Sequence, residues 1–237
     1  SMLPQALLIL SRAQKMQEEA NLENGEISGR ISIGAIPTMA PYLLPQLVQQ
    51  VLTRYPTLEL SLVENTTDEL VRQLREGSLD FALLSPPFEG EPDMVLDVLR
   101  ADELLIVLPD AHPLAKLQEL KLLDLSEFPM VVMKDVHCLS RQSRSVCDAS
   151  GLKPSVALES SQMETVISMV EAGMGFSFIP EIARQTFAHR NICFASIAPT
   201  PASRQICLVS SKYQQLSPPQ LAFQQAVKDT LAATREQ

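Results

Sequence analysis

The stretch ISIGAIPTMAPYLLPQL, residues 31–47, passes from a strand pattern to a helix pattern within a few residues. Its first half is apolar and rich in isoleucine, and Pro41 stands in the first turn of the helix that follows. The alternation continues along the chain, with strands predicted at 31–36, 58–63 and 81–84 and helices around 39–54 and 67–75, the latter ended by Gly77. This order predicts an α/β fold with a largely parallel sheet.

A second set of alternating segments begins near residue 129. It predicts strands at 129–133, 155–159 and 175–180 and helices near 141–150 and 162–172. Between the two sets, the apolar runs 95–99 and 103–109 have the composition of strands that cross from one lobe to the other. A further strand at 205–210 and a helix near 218–234 return the chain to the first lobe.

These segments predict two lobes after an N-terminal linker. We assign 1–28 to a linker helix, 29–100 plus 205–237 to lobe I, and 101–204 to lobe II. The linker prediction rests on small and apolar residues that repeat every 3.5 positions between 2 and 22, which suits either packing on the same domain or pairing with another subunit. Ligands of such α/β folds bind in the crevice that the strand ends face.

Charge and composition limit the classes of function. The chain of 237 residues has 28 acidic and 19 basic residues, a net charge of −9, and no tryptophan. A negative protein repels phosphate backbones, so these residues alone are not expected to bind DNA. No apolar run approaches the length of a membrane span and no export signal is visible, so we expect a soluble cytoplasmic protein that does not bind membranes.

The stretch HCLSRQSRSVC, residues 137–147, contains two of the four cysteines. On base rates Cys138 and Cys147 would be small buried hydrophobic residues. However, His137, Arg141 and Arg144 make a cationic setting, and such a setting favours the thiolate that reacts with peroxides. Cys138 is the better candidate nucleophile, and a sulfenic acid formed there needs a second thiol to become a disulfide.

The spacing of these cysteines conflicts with a bond between them. If most of 139–150 is helical and Gly151 ends the helix, nine residues at about 1.5 Å each separate the two cysteines by roughly 13 Å, whereas a disulfide needs Cα atoms about 4.4–6.8 Å apart. Oxidation would then unwind a segment polar enough to leave the core at little cost, which is the requirement for a switch. Zinc binding or a Cys/His hydrolase with Asp135 as orienting carboxylate is disfavoured, and no metal or other cofactor is expected.

Three helix starts present polar residues toward the expected crevice. Thr38 follows the first strand, Thr67 precedes two acidic residues, and Ser161 with Glu164 forms a capping box. Ordinary capping explains these residues, and ligand contact would be an additional role. Cys193 and Cys207 lie in apolar runs and are expected in the core.

Four motifs resemble the effector-binding region of LysR-type transcriptional regulators across residues 29–235. They are ISIGAIPTMAPYLLPQL, TDELVRQLREGSLDFALL, LPDAHPLA and MVEAGMGFSFIP. The motif HCL with a second cysteine nine residues later resembles the peroxide-sensing members of that family. The resemblance implies a two-lobed fold of the periplasmic-binding-protein type 2 class and no enzymatic activity.

The resemblance also implies site residues and partners. Cys138 resembles the peroxidatic cysteine and Cys147 the resolving one, while Thr38, Thr67, His137 and Arg204 resemble residues that hold peroxide or support the thiolate. It implies hydrogen peroxide as the signal and a homodimer or homotetramer that rearranges on oxidation. DNA would be bound only through a winged-helix domain preceding residue 1, with RNA polymerase as a further partner.

This sequence departs from the family pattern at two places. Ser140-Arg141 replaces the usual Arg-Asp after Cys-Leu, and Gln162-Met163 replaces Ser-Leu ahead of Glu164. Three other interpretations stay open, namely a LysR-type domain that binds a small metabolite with incidental cysteines, a solute-binding receptor, and a thiol peroxidase.

Overall fold

The computed structural model describes residues 27–233. The helix predicted over 2–22, and with it nearly all of the predicted linker 1–28, lies outside the described residues. Within 27–233 no helix combines the length and apolar composition that a bilayer span requires.

The described chain alternates strands and helices, which confirms the α/β class. The strands are β1 (Gly29–Ala35), β2 (Leu58–Glu64), β3 (Phe81–Leu84), β4 (Met94–Pro109), β5 (Glu119–Lys121), β6 (Met130–Met133), β7 (Val156–Ser160), β8 (Ser177–Pro180), β9 (Ile192–Ala198) and β10 (Ser203–Ser211). The helices are α1 (Ala40–Arg54), α2 (Thr67–Glu76), α3 (Cys138–Ala149), α4 (Met163–Glu171), α5 (Glu181–Phe187) and α6 (Pro218–Ala233).

The chain divides into two compact units. Unit 1 contains the described residues up to Arg100 and those from Gln205 onward, and unit 2 runs from Ala101 to Arg204. β4 carries the chain out of unit 1 and β10 carries it back. The two apolar runs predicted as separate crossing strands, 95–99 and 103–109, are one continuous strand of 16 residues.

In the sheet of unit 1, β1 lies between β2 and β3. β1 pairs in parallel with β2 on one side and β3 on the other, and β10 runs antiparallel to β3. Helix α2 lies so close to β1 that a side chain at Gly34 would overlap Leu70. Gly77 ends α2 in the left-handed conformation, with φ of +71°, as its position in the sequence predicts.

Unit 2 mixes parallel and antiparallel pairs. β4 runs antiparallel to β8 and β9, whereas β5 pairs in parallel with β9 and β6 with β7. The prediction of a largely parallel sheet therefore holds for β2-β1-β3 and for β6-β7 and is wrong for the strands that cross between the units. β9 and α5 were not predicted, because short apolar stretches after a strand fit a buried loop equally well.

A close backbone approach in unit 2 requires a glycine. Gly175 has φ of +147°, a value that side chains disfavour, and an added Cβ would overlap the carbonyl group of Pro129. The same carbonyl accepts a hydrogen bond of 3.0 Å from the amide of Phe176, a fully buried residue. This contact joins the segment before β8 to the start of β6.

Gly175→Ala should therefore destabilise unit 2 more than an alanine substitution at a glycine that has positive φ but open space around it. We expect a loss above about 3 kcal/mol, because positive φ and backbone overlap act together. Gly173→Ala is the matched control, since Gly173 has φ of +84° with open space around it and should lose only about 1–2 kcal/mol. Urea unfolding of both variants measures the difference, and equal losses would contradict the overlap.

Candidate functional site

The predicted helix between the two cysteines is present as α3. It begins at Cys138, directly after His137 in an extended conformation, and ends at Ala149. Gly151 follows with φ of +74° and donates its amide to the carbonyl oxygen of Asp148 at 3.1 Å. The polar sequence thus forms a regular helix with a left-handed glycine just beyond its end.

Helix α3 keeps the two cysteines apart. Cys138 is its first residue and Cys147 its tenth, and all four cysteines of the chain are thiols. At a rise of about 1.5 Å per residue, nine steps separate the Cα atoms by roughly 13 Å along the axis. A disulfide needs a Cα separation of about 4.4–6.8 Å, so it cannot form while this helix is intact.

One face of α3 is buried. Besides both cysteines, this face contains Leu139, Ser140 and Ser143. The Ser143 hydroxyl donates to the carbonyl oxygen of Leu139 at 2.8 Å, and the Ser140 hydroxyl donates to Oδ1 of Asp135 at 2.9 Å. The expectation that this segment could leave the core with little lost burial is therefore wrong, because hydroxyls satisfied within or beside the helix are as buried as its apolar residues.

Cys147 is part of the hydrophobic core of unit 2. Its side chain belongs to a cluster of buried residues that includes Met130 and Val132 of β6, Phe176 just before β8 and Leu152 after the helix. Burial, reinforced by the nearby carboxylate of Asp148, raises the pKa of the Cys147 thiol to about 11. In the wound helix this thiol is therefore protonated near neutral pH.

The cations predicted around Cys138 are not all available to a thiolate. Arg144 lies on α3 and forms ion pairs with Asp135 at 3.1 Å and Glu159 at 3.0 Å. Two carboxylates thus compensate its charge, and they also tie α3 to the preceding loop and to β7. Arg141 lies on the exposed side of the helix, and His137 is buried next to Cys138.

The two predicted peroxide-binding hydroxyls belong to unit 1. Thr38 lies two residues before α1 and is 1% exposed. Thr67 is the first residue of α2, after Thr66 at the cap position, so neither predicted threonine is itself a helix cap. Thr67 is 2% exposed, and its Oγ1 has no hydrogen-bond partner among the described residues.

The predicted capping box at α4 is wrong. Gln162 occupies the cap position and makes no side-chain cap, so Ser161 lies one residue too early to reach the first free amides. The Ser160 hydroxyl instead accepts the Gln162 amide at 3.1 Å. Glu164 pairs with Arg190 at 2.6 Å.

Arg204 forms a fully buried ion pair in unit 2. Its Nε donates to Oδ2 of Asp102 at 2.9 Å, and both side chains are 0% exposed. The other oxygen of Asp102 accepts the amide of Ile182 at the start of α5, at 3.1 Å. Sequence reasoning named Arg204 and missed Asp102, because 102 residues separate the partners and no local pattern relates them.

The other two cysteines are packed in strands, as expected. Cys207 in β10 is fully buried and Cys193 in β9 is partly buried. Burial raises the pKa of both thiols, that of Cys207 to about 11. Among residues 27–233, no three His, Cys, Asp or Glu side chains are grouped to hold a metal ion.

The chain is similar to known regulators over most of its length. Residues 24–232 match the family described as the LysR substrate binding domain. The hydrogen peroxide-inducible genes activator of Haemophilus influenzae is 32% identical over 179 residues, which cover 76% of this chain and 59% of that protein. The DNA-binding transcriptional dual regulator OxyR of Escherichia coli (strain K12) is 31% identical over 222 residues, 90% of this chain and 72% of OxyR.

A solved structure has the same fold. A mutant of Corynebacterium glutamicum OxyR, described as H2O2-bound, superimposes with a TM-score of 0.82 and 28% identity, over 99% of this chain and 73% of that one. These similarities confirm the predicted resemblance to the peroxide-sensing branch and the α/β class of periplasmic-binding-protein-like regulatory domains. The chain therefore belongs to the LysR family of transcriptional regulators, through the substrate-binding domain that residues 24–232 match.

Proposed function

We propose that this domain senses hydrogen peroxide for a transcriptional regulator. The Cys138 thiolate attacks one peroxide oxygen, giving a sulfenic acid and releasing hydroxide. The Cys147 thiolate then attacks the Cys138 sulfur and displaces a second hydroxide, which leaves an intramolecular disulfide. The observation that carries the proposal is the position of both cysteines on α3, since the bond and the helix exclude one another.

The similar proteins support this choice of signal. The Haemophilus influenzae relative is named for induction by hydrogen peroxide, and the Corynebacterium glutamicum structure is described as H2O2-bound. Both are similar to this chain over most of its length. The departures Ser140-Arg141 and Gln162-Met163 alter neither cysteine, so they affect the surroundings of the reaction and not its two sulfur atoms.

Unwinding of α3 controls the second step in two ways. It brings the sulfurs within bonding distance, and it moves Cys147 from the core to water. In the core a thiol with a pKa of about 11 is ionised in about one molecule in ten thousand at neutral pH. In water its pKa returns to about 8.5, so the fraction that can attack rises by more than a hundredfold. Geometry and ionisation therefore act in the same direction.

Residues outside α3 would bind peroxide and support the thiolate. We assign Thr38 and Thr67 to peroxide binding on the family resemblance. The assignment of Thr67 is supported by its buried hydroxyl, which has no hydrogen-bond partner among the described residues. His137 precedes Cys138 directly. Arg204 is held by the buried carboxylate of Asp102, which fixes the direction of its guanidinium group.

The readout would be a change in oligomer geometry. Refolding of residues 138–149 would shift contacts in a homodimer or homotetramer, and DNA would respond through a winged-helix domain elsewhere in the full-length protein, with RNA polymerase as the later partner. A reducing cytoplasm would keep the thiols reduced until the oxidant arrives. The cycle is a single switching event without substrate turnover, so we assign no enzymatic activity.

Stoichiometric peroxide should remove two hydrogens from the wild-type chain and join Cys138 to Cys147, as measured by intact mass and peptide mapping. Cys138→Ser should abolish this change, since it removes the attacking sulfur. Cys147→Ser should stop at a sulfenic acid that dimedone traps, whereas the control Cys193→Ser should still form the bond. An internal disulfide in Cys147→Ser, or unchanged thiols together with stabilisation by a metabolite, would contradict the assignment.

Loosening α3 should accelerate the disulfide step without changing the first oxidation. Arg144→Gln removes both ion pairs that tie the helix to Asp135 and Glu159. We expect disulfide formation about two- to fivefold faster, because exposed pairs contribute modestly. Arg141→Gln changes the same charge on the same helix without an ion pair in the described structure and should leave the rate unchanged. Quenched mass spectrometry gives both rates, and a slower Arg144→Gln reaction would show that its charge supports the thiolate instead.

Alkaline pH should destabilise the reduced domain through Cys147. The folded state raises the pKa of this thiol to about 11, whereas an exposed thiol has a pKa of about 8.5. Folding is therefore unaffected below about pH 8.5 and loses about 1.4 kcal/mol per pH unit between there and pH 11, since the unfolded state releases its proton first. Cys147→Ser should show a shallower loss in urea midpoints than wild type. If the urea midpoints of the two proteins fell equally with pH, the loss of stability would come from other groups, such as Cys207.

A further inference from the structure

A small cleft opens on unit 2 beside Cys147. Its volume is about 220 Å³. Helix α3 contributes one wall, strands β6 and β7 another, and the segment after the helix closes the end. The cleft, which we call the α3 cleft, is lined by Met130, Val132, Arg144, Cys147, Asp148, Leu152, Lys153, Pro154 and Val156.

We propose that the α3 cleft binds a small aliphatic carboxylate and that this ligand holds the domain in its reduced state. The regulatory half of this inference rests on the proposed function, because it requires that α3 unwinds on oxidation. The binding half rests on the cleft alone and can be tested without peroxide.

The floor of the cleft selects an aliphatic ligand. Met130, Val132 and Leu152 are nearly fully buried there, and Val156 is 44% exposed at the rim. No aromatic side chain is among the lining residues. A cavity of about 150 Å³ suffices for a ligand of the size of benzene, so 220 Å³ admits an unbranched or singly branched chain of five to seven carbon atoms, on the order of one such molecule.

The charges at the rim select a single carboxylate. The guanidinium of Arg144 is already paired with two carboxylates. Lys153 is exposed, and within residues 27–233 its ammonium forms no ion pair, so it is the cation open to a ligand anion. Asp148 stands at the same rim and would repel a second negative charge. One carboxylate beside Lys153, with its chain on the apolar floor, satisfies both constraints.

The cleft exists only while α3 is wound. Three lining residues, Arg144, Cys147 and Asp148, belong to the last two turns of this helix. Formation of the disulfide would withdraw Cys147 from the core and remove that wall. A ligand of the cleft therefore binds the reduced form selectively, and by thermodynamic linkage it opposes unwinding by the factor 1 + [L]/Kd.

Hexanoate is the probe for this proposal. It should raise the Tm of the reduced domain in a saturable manner. Hexanamide and hexylamine should bind at least tenfold more weakly than hexanoate, because they lack the carboxylate anion. At a concentration of ten times Kd, hexanoate should slow disulfide formation by about 11-fold. Trapping of the Cys138 sulfenic acid with dimedone should keep its rate, since the first oxidation does not require unwinding.

Two charge reversals provide matched variants. Lys153→Glu should weaken the binding of hexanoate at least tenfold, whereas Lys116→Glu, at another exposed lysine of unit 2 outside the cleft, should leave hexanoate binding unchanged. Equal binding of hexanoate and hexylamine, or equal effects of the two variants, would overturn the site. Absence of any Tm shift would overturn it while leaving peroxide sensing intact. A Tm shift in a chain that never forms the disulfide would instead overturn the proposed function and the regulatory half.

Discussion

The fixed rise of an α-helix determines what the two cysteines can do. Because each residue advances the axis by about 1.5 Å, Cys138 and Cys147 cannot approach bonding distance while both belong to α3. Any chemistry that joins them must therefore unwind at least part of the helix between them. A switch of the proposed kind would need no hinge between rigid parts, because the element that carries the two cysteines would itself change conformation.

The buried face of α3 determines how strongly the reduced form resists that change. Cys147 contributes to the core of unit 2, and the hydroxyls of Ser140 and Ser143 have hydrogen-bond acceptors in the helical arrangement. The same burial that holds the helix also keeps the Cys147 thiol protonated. Burial of Cys147 thus contributes both to the packing of the helix and to the low reactivity of its thiol.

Most of the secondary structure, and the helix at the cysteines, could be predicted from local patterns. Apolar alternation and stop signals such as Gly77 and Gly151 act over a few residues, and the sequence shows them directly. Burial of Ser140 could not be read in the same way, because it depends on Asp135 in the preceding loop. The cap of α4 was misplaced because Ser161 is a preferred cap residue by composition, whereas the backbone turn places Gln162 at that position without a side-chain cap.

The ion pair between Asp102 and Arg204 has a consequence for synthesis of the chain. Asp102 is the second residue of unit 2 and Arg204 its last, so their contact closes this unit where the chain enters and leaves it. During synthesis on the ribosome, all residues of unit 2 have been added once residue 204 is in the chain. Unit 1 waits for the rest of β10 and for α6. The interrupted unit is thus completed after the continuous one, and the nascent chain carries an unfinished sheet edge at β3 until β10 arrives.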